Sequence, residues 1–209
     1  TLFNVISGFF PATEGEVIFE GEEITGLKAH EIAQRGVTRT FQTSSLFMRL
    51  SVLENVFSGY HMSYSTSLLK RLFRMPSAKK EEDLLREKSM EILEFMGMGS
   101  LKDEIAENLP HGHQRILGVC MALATKPKLL LLDEPVAGMN PGETSTMIEL
   151  IRQIREKGIT IIIVEHDMKA ILRLCDRILA LSYGRKIAEG LPNEVMENED
   201  LIEAYLGKE

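Results

Sequence analysis

The sequence of 209 residues predicts an α/β fold built on a parallel sheet, and three observations carry that prediction. Leu129-Leu130-Leu131-Leu132 is an unbroken apolar run, the pattern of a strand buried on both faces, and it ends in Asp133-Glu134-Pro135. Ile159-Thr160-Ile161-Ile162-Ile163-Val164 is a second run, rich in β-branched residues and expected to be a buried strand, that ends in Glu165-His166-Asp167. Helical stretches precede and separate the two runs, as in a parallel sheet covered by helices. Both runs therefore deliver charged side chains to the C-terminal edge of the sheet, where open α/β sheets place their ligands. For the leucine run taken alone, the plain alternative is a core strand entering an acidic turn.

In chain order, residues 1–8 end a helix that Gly8 and Pro11 stop. Residues 16–24 read as a strand, a turn at Gly21 and a second short strand. A short helix over 28–34 leads into Gly36-Val37-Thr38-Arg39-Thr40-Phe41-Gln42, a short strand running out into a glutamine. From 43 to about 124 the pattern is helical, interrupted over 62–76 by a Ser- and Lys-rich insertion. Within it, 81–98 has amphipathic spacing, with Leu84, Leu85, Ile92, Leu93 and Met96 on one face. Leu109-Pro110-His111-Gly112-His113-Gln114-Arg115 opens the helix that includes 116–124. After the leucine strand come a helix over 143–157, the strand from Ile159, a helix over 169–175, a short strand pair around Gly184 and a terminal helix from Glu199.

A hydrophobic share of 44% supports a real core, and the length suits one domain with or without a subdomain. The net charge of −7 argues against a general nucleic-acid binder, which carries a basic stripe. No run of eighteen apolar residues and no signal peptide occurs, so any membrane role is expected to come through a partner. Cys120 and Cys175 sit in helical patterns and are expected to be reduced core thiols. The basic residues Lys70, Arg71, Arg74, Lys79 and Lys80 read as a solvated face, and Met90, Met96 and Met98 as core packing.

Four segments, taken in order and spacing, resemble the ATP-binding subunits of ABC transporters over essentially the whole chain: 36–42, 109–115, 128–135 and 159–167. The likeness is greatest to the LivG-type ATPase of branched-chain amino-acid importers. It is carried by 109–115, by Ala137-Gly138-Met139-Asn140-Pro141, by the opening Leu2-Phe3-Asn4-Val5-Ile6-Ser7-Gly8-Phe9 and by the ending from Tyr183 to Gly207. The fold that the resemblance implies is a P-loop NTPase (RecA-like) parallel sheet with an inserted α-helical subdomain. Its expected parts are a core segment over 1–42, the helical subdomain over 43–124 and the rest of the core over 125–209.

By the same resemblance, Glu134 is the catalytic base that orients water in line with the γ-phosphate of ATP. Asp133 holds Mg²⁺ through water, and Gln42 senses that ion and the attacking water. His166 is the switch histidine at the γ-phosphate. Gly112 and Gln114 belong to the signature that meets nucleotide across a dimer, and Asn140 lies at that dimer interface. Pro110 stands where the wider superfamily has serine, as is usual in the LivG branch. Arg115 is expected to brace the helix start. For His111 and His113 the plain reading is incidental change, the sharper one a signature with a pH response. The implied partners are a second ATPase subunit, two membrane permease subunits and, indirectly, an external solute-binding protein, with no nucleic acid. The implied location is peripheral, on the cytoplasmic face of the membrane.

No G-x-x-x-x-G-K-[ST] occurs in the sequence, and Thr1 aligns just after the Mg²⁺-binding Ser/Thr of that motif. The expectation is a chain that lacks the family's first strands and phosphate loop, inactive on its own. Three other readings stay open: a non-catalytic module that docks on a permease, an ABC ATPase acting on nucleic acid, and an importer ATPase for another solute such as urea.

Overall fold

The computed structural model describes residues 2–40, 46–62, 73, 75–199 and 201. The chain divides into two compact units, 1–135 with 153–164, and 136–152 with 165–209.

In the first unit, β3 (Val37–Arg39), β4 (Leu129–Asp133) and β5 (Thr160–Val164) form a parallel sheet in the order β3-β4-β5. The centre goes to the leucine run, and Leu130, Leu131 and Leu132 are 0% exposed. That is the burial expected of a parallel strand with both faces covered. Beneath one face, Phe3 of α1 (Leu2–Ile6), Ile32 of α2 (Ala29–Gln34) and Ile24 pack with Val37, Leu129 and Leu131. The hairpin of β1 (Ile18–Phe19) and β2 (Glu22–Glu23) turns through Glu20 and Gly21, both at positive φ, 51° and 82°. Two such residues in succession make the turn whose twist matches paired strands.

The expectation of a second buried strand fails at β5. Ile162 and Val164 are 39% and 42% exposed, and Ile161 and Ile163 are only half-buried. The physical reason is position: β5 pairs with β4 on one side and, among the described residues, with no strand on the other. A β-branched run specifies extended backbone, while burial depends on the neighbours the sheet supplies.

Among the described residues, three further α-helices pack together in this unit. α3 (Val52–Ser58) packs on α4 (Pro76–Phe95) and α5 (His111–Ala124). Its start is fixed by a capping box in which Ser51 accepts from the Glu54 N–H and Glu54 accepts from the Ser51 N–H. Just past its end, a Cβ on Gly59 would lie 2.5 Å from the Met121 carbonyl oxygen, so only glycine lets α3 and α5 approach this closely. Buried Asn55 spends its amide on the carbonyls of Phe47, Leu50 and Ser51, at 3.1, 3.3 and 2.9 Å, which pins the preceding loop. The apolar face of α4 is Ala78, Leu85, Ser89 and Leu93, with Met96 at its C-cap. Leu84, one helical step (about 100°) from Leu85, falls outside that face and is exposed, contrary to expectation. Buried Ser89 escapes a polar penalty by donating to the Leu85 carbonyl at 2.8 Å.

The second unit takes residues up to Arg152 of α6 (Pro141–Glu156), then α7 (Met168–Leu174), β6 (Ile178–Ser182), β7 (Arg185–Gly190) and α8 (Pro192–Met196). β6 and β7 are antiparallel around Tyr183 and Gly184, at φ 48° and 79°, the same turn chemistry as the first hairpin. Helix α8 went unread in the sequence, although Pro192 at its first turn is a start signal. Neither cysteine is in a disulfide; Cys120 is buried, whereas Cys175, expected in the core, is half-buried at the end of α7. Burial pushes both thiols above the ordinary cysteine range.

Candidate active site

Asp133 closes β4, and one of its carboxylate oxygens accepts from Arg39 Nη2 at 2.7 Å. The pair is largely sheltered, with side chains 13% and 27% exposed. Arg39 leaves the neighbouring strand β3 and is itself held by the Asn4 amide oxygen and the Phe3 ring, 5.6 Å from its guanidinium carbon. Sequence reading missed this arginine; the register that pairs Arg39 with Leu131, two residues short of Asp133, appears only in the fold.

Glu134, the next residue, is half-buried and has φ 47°, a left-handed conformation that costs a non-glycine residue about 1–3 kcal/mol. Its N–H donates to the Val164 carbonyl at 2.8 Å, extending the β4–β5 ladder by one residue. Its own carbonyl accepts from Arg115 Nη1 at 2.8 Å. Arg115, expected to brace the helix start, also reaches 19 residues along the chain.

The 109–115 segment forms the start of α5. Pro110 is the N-cap, and Gly112 is buried in the first turn. Gln114 donates its side-chain amide to the carbonyls of Ala106 and Leu109, at 3.2 and 3.1 Å, tying the helix start to the loop before it. The first turn of a 14-residue helix offers backbone N–H groups and a positive dipole end, which suits an anion.

In the second unit, Glu165 is a scaffold residue, its side chain 1% exposed. Its carboxylate accepts the N–H groups of Val136, His166 and Asp167, at 3.1, 2.9 and 3.4 Å. Asp167 caps α7 by accepting from the N–H groups of Lys169 and Ala170. The His166 side chain, at the crest of this turn, is 71% exposed. Asn140 is the N-cap of α6: its amide oxygen accepts from the Gly142 and Glu143 N–H groups, at 2.9 and 3.0 Å, and Glu143 accepts from the Asn140 N–H at 3.0 Å. Gln42 and Thr1 lie outside the described residues.

The sequence profile of the family described as ABC transporter matches residues 1–137. The chain belongs to the ABC transporter family. It is 37% identical over 209 residues to the high-affinity branched-chain amino acid transport ATP-binding protein BraF of Pseudomonas aeruginosa, covering 100% of this chain and 82% of that one. The same shares hold, at 36% identity, for the protein of that description named LivG in Escherichia coli. Among solved structures, a nucleotide-free ATP-binding cassette from an ABC transporter superposes with TM-score 0.84 at 34% identity, covering 99% of this chain and 83% of that one. A cassette in its ADP conformation matches with the same score and identity and 82% of its own length covered.

Proteins of this family bind ATP and hydrolyse it to drive transport. Among the described residues no group of three or more His, Cys, Asp or Glu side chains could hold a metal ion alone. One sheltered carboxylate with an oxygen already given to Arg39 fits Mg²⁺ that arrives with nucleotide and keeps most of its water, the ordinary mode for that ion. No described helix is long and apolar enough to cross a membrane.

Proposed function

We propose that this ABC protein is the ATPase subunit that energises an importer of branched-chain amino acids. The observation that supports this reading most is the Asp133-Glu134 turn: adjacent carboxylates at the end of a fully buried strand, one ion-paired and one held by backbone bonds at both its N–H and its carbonyl. The substrate class rests on the names of the relatives, BraF and LivG.

In this proposal Glu134 orients and polarises the water that attacks the γ-phosphate. Asp133 and Gln42 hold the nucleotide's Mg²⁺, which supplies charge neutralisation at the phosphates. His166 contacts the γ-phosphate; its side chain is 71% exposed. Thr1 belongs, in this reading, to the residues that bind nucleotide. Gly112 and Gln114 form the signature, with Gln114 fixing the helix end whose N–H groups face phosphate. Asn140, besides capping α6, lies at the interface with a second ATPase subunit. The segment 43–124 is the helical subdomain that meets two permease subunits, and an external binding protein delivers the solute. The subunit works peripherally on the cytoplasmic face of the membrane, and nucleic acid has no part.

The test uses the protein purified from its source with the membrane subunits that accompany it, reconstituted in vesicles. Leucine uptake that depends on ATP is the expected result. ATP hydrolysis stimulated by another solute, urea for instance, and not by leucine would overturn the substrate class; no hydrolysis under any condition would overturn the enzyme.

A further inference from the structure

Glu134 carries an unusual combination: a role as base in the reading above and a left-handed backbone that glutamate avoids. A residue at φ 47° persists only where its surroundings over-determine it. One restraint on its backbone lies within the chain's own ladder, the N–H bond to Val164. Pro135 adds to the strain, since proline pushes the residue before it towards extended backbone. The second restraint comes from another element altogether. Arg115, in the first turns of α5, donates from Nη1 to the Glu134 carbonyl at 2.8 Å. Among the described residues Arg115 forms no ion pair, and its Nε is buried without a hydrogen-bond partner. A half-buried guanidinium ordinarily finds a carboxylate. Here what it holds is a main-chain oxygen next to a carboxylate that must point at substrate.

We infer that Arg115 is a positioning residue: by fixing the Glu134 carbonyl it fixes the peptide plane, and so the direction in which the Glu134 side chain leaves the backbone. The bond also makes the start of the signature helix a direct support of the base, since Gly112 and Gln114 stand on the same helical turns as Arg115. A shift of α5 relative to β4 then re-aims Glu134 without moving the strand. The inference rests on the reading of Glu134 as base.

Arg115→Met and Arg115→Lys, each in the native complex, test it. Methionine keeps apolar bulk and removes the donor; lysine restores a donor. Arg115→Met should lower kcat by about 10–100-fold, the scale of a misplaced catalytic group, with KM for ATP within about twofold and the urea midpoint unmoved. Arg115→Lys should recover most of that loss. Unchanged kcat in Arg115→Met, or a fall in kcat matched by a fall in stability with no rescue by lysine, would overturn the inference. Amide hydrogen exchange at Glu134 provides a readout independent of turnover, expected to quicken about tenfold in Arg115→Met. If the wild type hydrolyses no ATP, the reading of Glu134 as base fails, whereas the exchange rate still decides whether Arg115 holds this backbone; an unchanged rate would overturn that as well.

Discussion

The turns that follow β4 and β5 look alike in sequence, each an apolar strand giving way to acidic residues, yet their acids are used in opposite ways. After β4 the acids are the groups being held: Arg39 grips the Asp133 carboxylate, and Arg115 and Val164 grip the Glu134 backbone. After β5 the acids do the holding. Glu165 binds three backbone N–H groups and Asp167 caps a helix, which leaves His166 as the exposed group of that turn. A carboxylate beside a functional position is thus either chemistry or scaffold, and its hydrogen-bond partners tell which. Glu165 and Asp167 accept backbone N–H groups and serve the scaffold, whereas Asp133 accepts from an arginine of the neighbouring strand.

This contrast can be broken at several points. After substitution of Glu134 itself, the largest effect is expected from His166→Ala, which should cut ATP turnover about 100-fold, the scale of one lost polar contact to a developing charge, and leave the urea midpoint unmoved because the ring is exposed. Stability loss as large as that of a core variant would assign His166 to the scaffold instead. Glu165→Ala should destabilise by about 2–4 kcal/mol in urea unfolding, since it strands N–H groups of Val136, His166 and Asp167. Arg39→Met should cost roughly 1–3 kcal/mol, below the figure for a fully buried pair because water reaches Asp133. Unfolding energies equal to wild type would show that the Arg39–Asp133 pair adds nothing to stability.

The smallest effect sharpens the contrast from outside both turns. Hydrogen bonds from the Ser51 backbone, and then from its side chain, hold the Glu54 carboxyl below the ordinary glutamate range. A depressed folded-state value means the ionised form favours folding, so the contribution is present above the unfolded value of about 4.3 and lost as pH falls through the folded one. Wild type should therefore be more stable than Glu54→Gln at pH 7, with the difference shrinking as pH falls below the unfolded value and through the folded one. A difference that does not change with pH would show that the cap does not act through its charge.

Much of this was legible in the sequence because local chemistry decided it. The leucine strand, the turns at Gly21 and Gly184 and the helix opened by Pro110 all followed from residue type and spacing. Burial was less legible, since it depends on neighbours: the isoleucines of β5 read as core and are half open, and Leu84 read as core and faces out. The terminal helix expected from Glu199 and the basic residues Lys70, Arg71 and Arg74 lie wholly or mostly outside the described residues. Least legible were the long-range supports. Arg39 and Asp133 are 94 residues apart, and Arg115 and Glu134 are 19 apart, so nothing in the spacing of either motif announces the bond.

The central claim is that Glu134 is held for chemistry and not for stability. Its most direct test compares Glu134→Gln with wild type in the native complex, reading ATP turnover, ATP affinity and urea unfolding on the same preparations. Turnover should fall by roughly 10²–10⁴-fold, the usual contribution of a positioned base, with affinity and the unfolding midpoint unchanged. Turnover that survives the substitution, or that falls only as far as the folded fraction falls, would contradict the account.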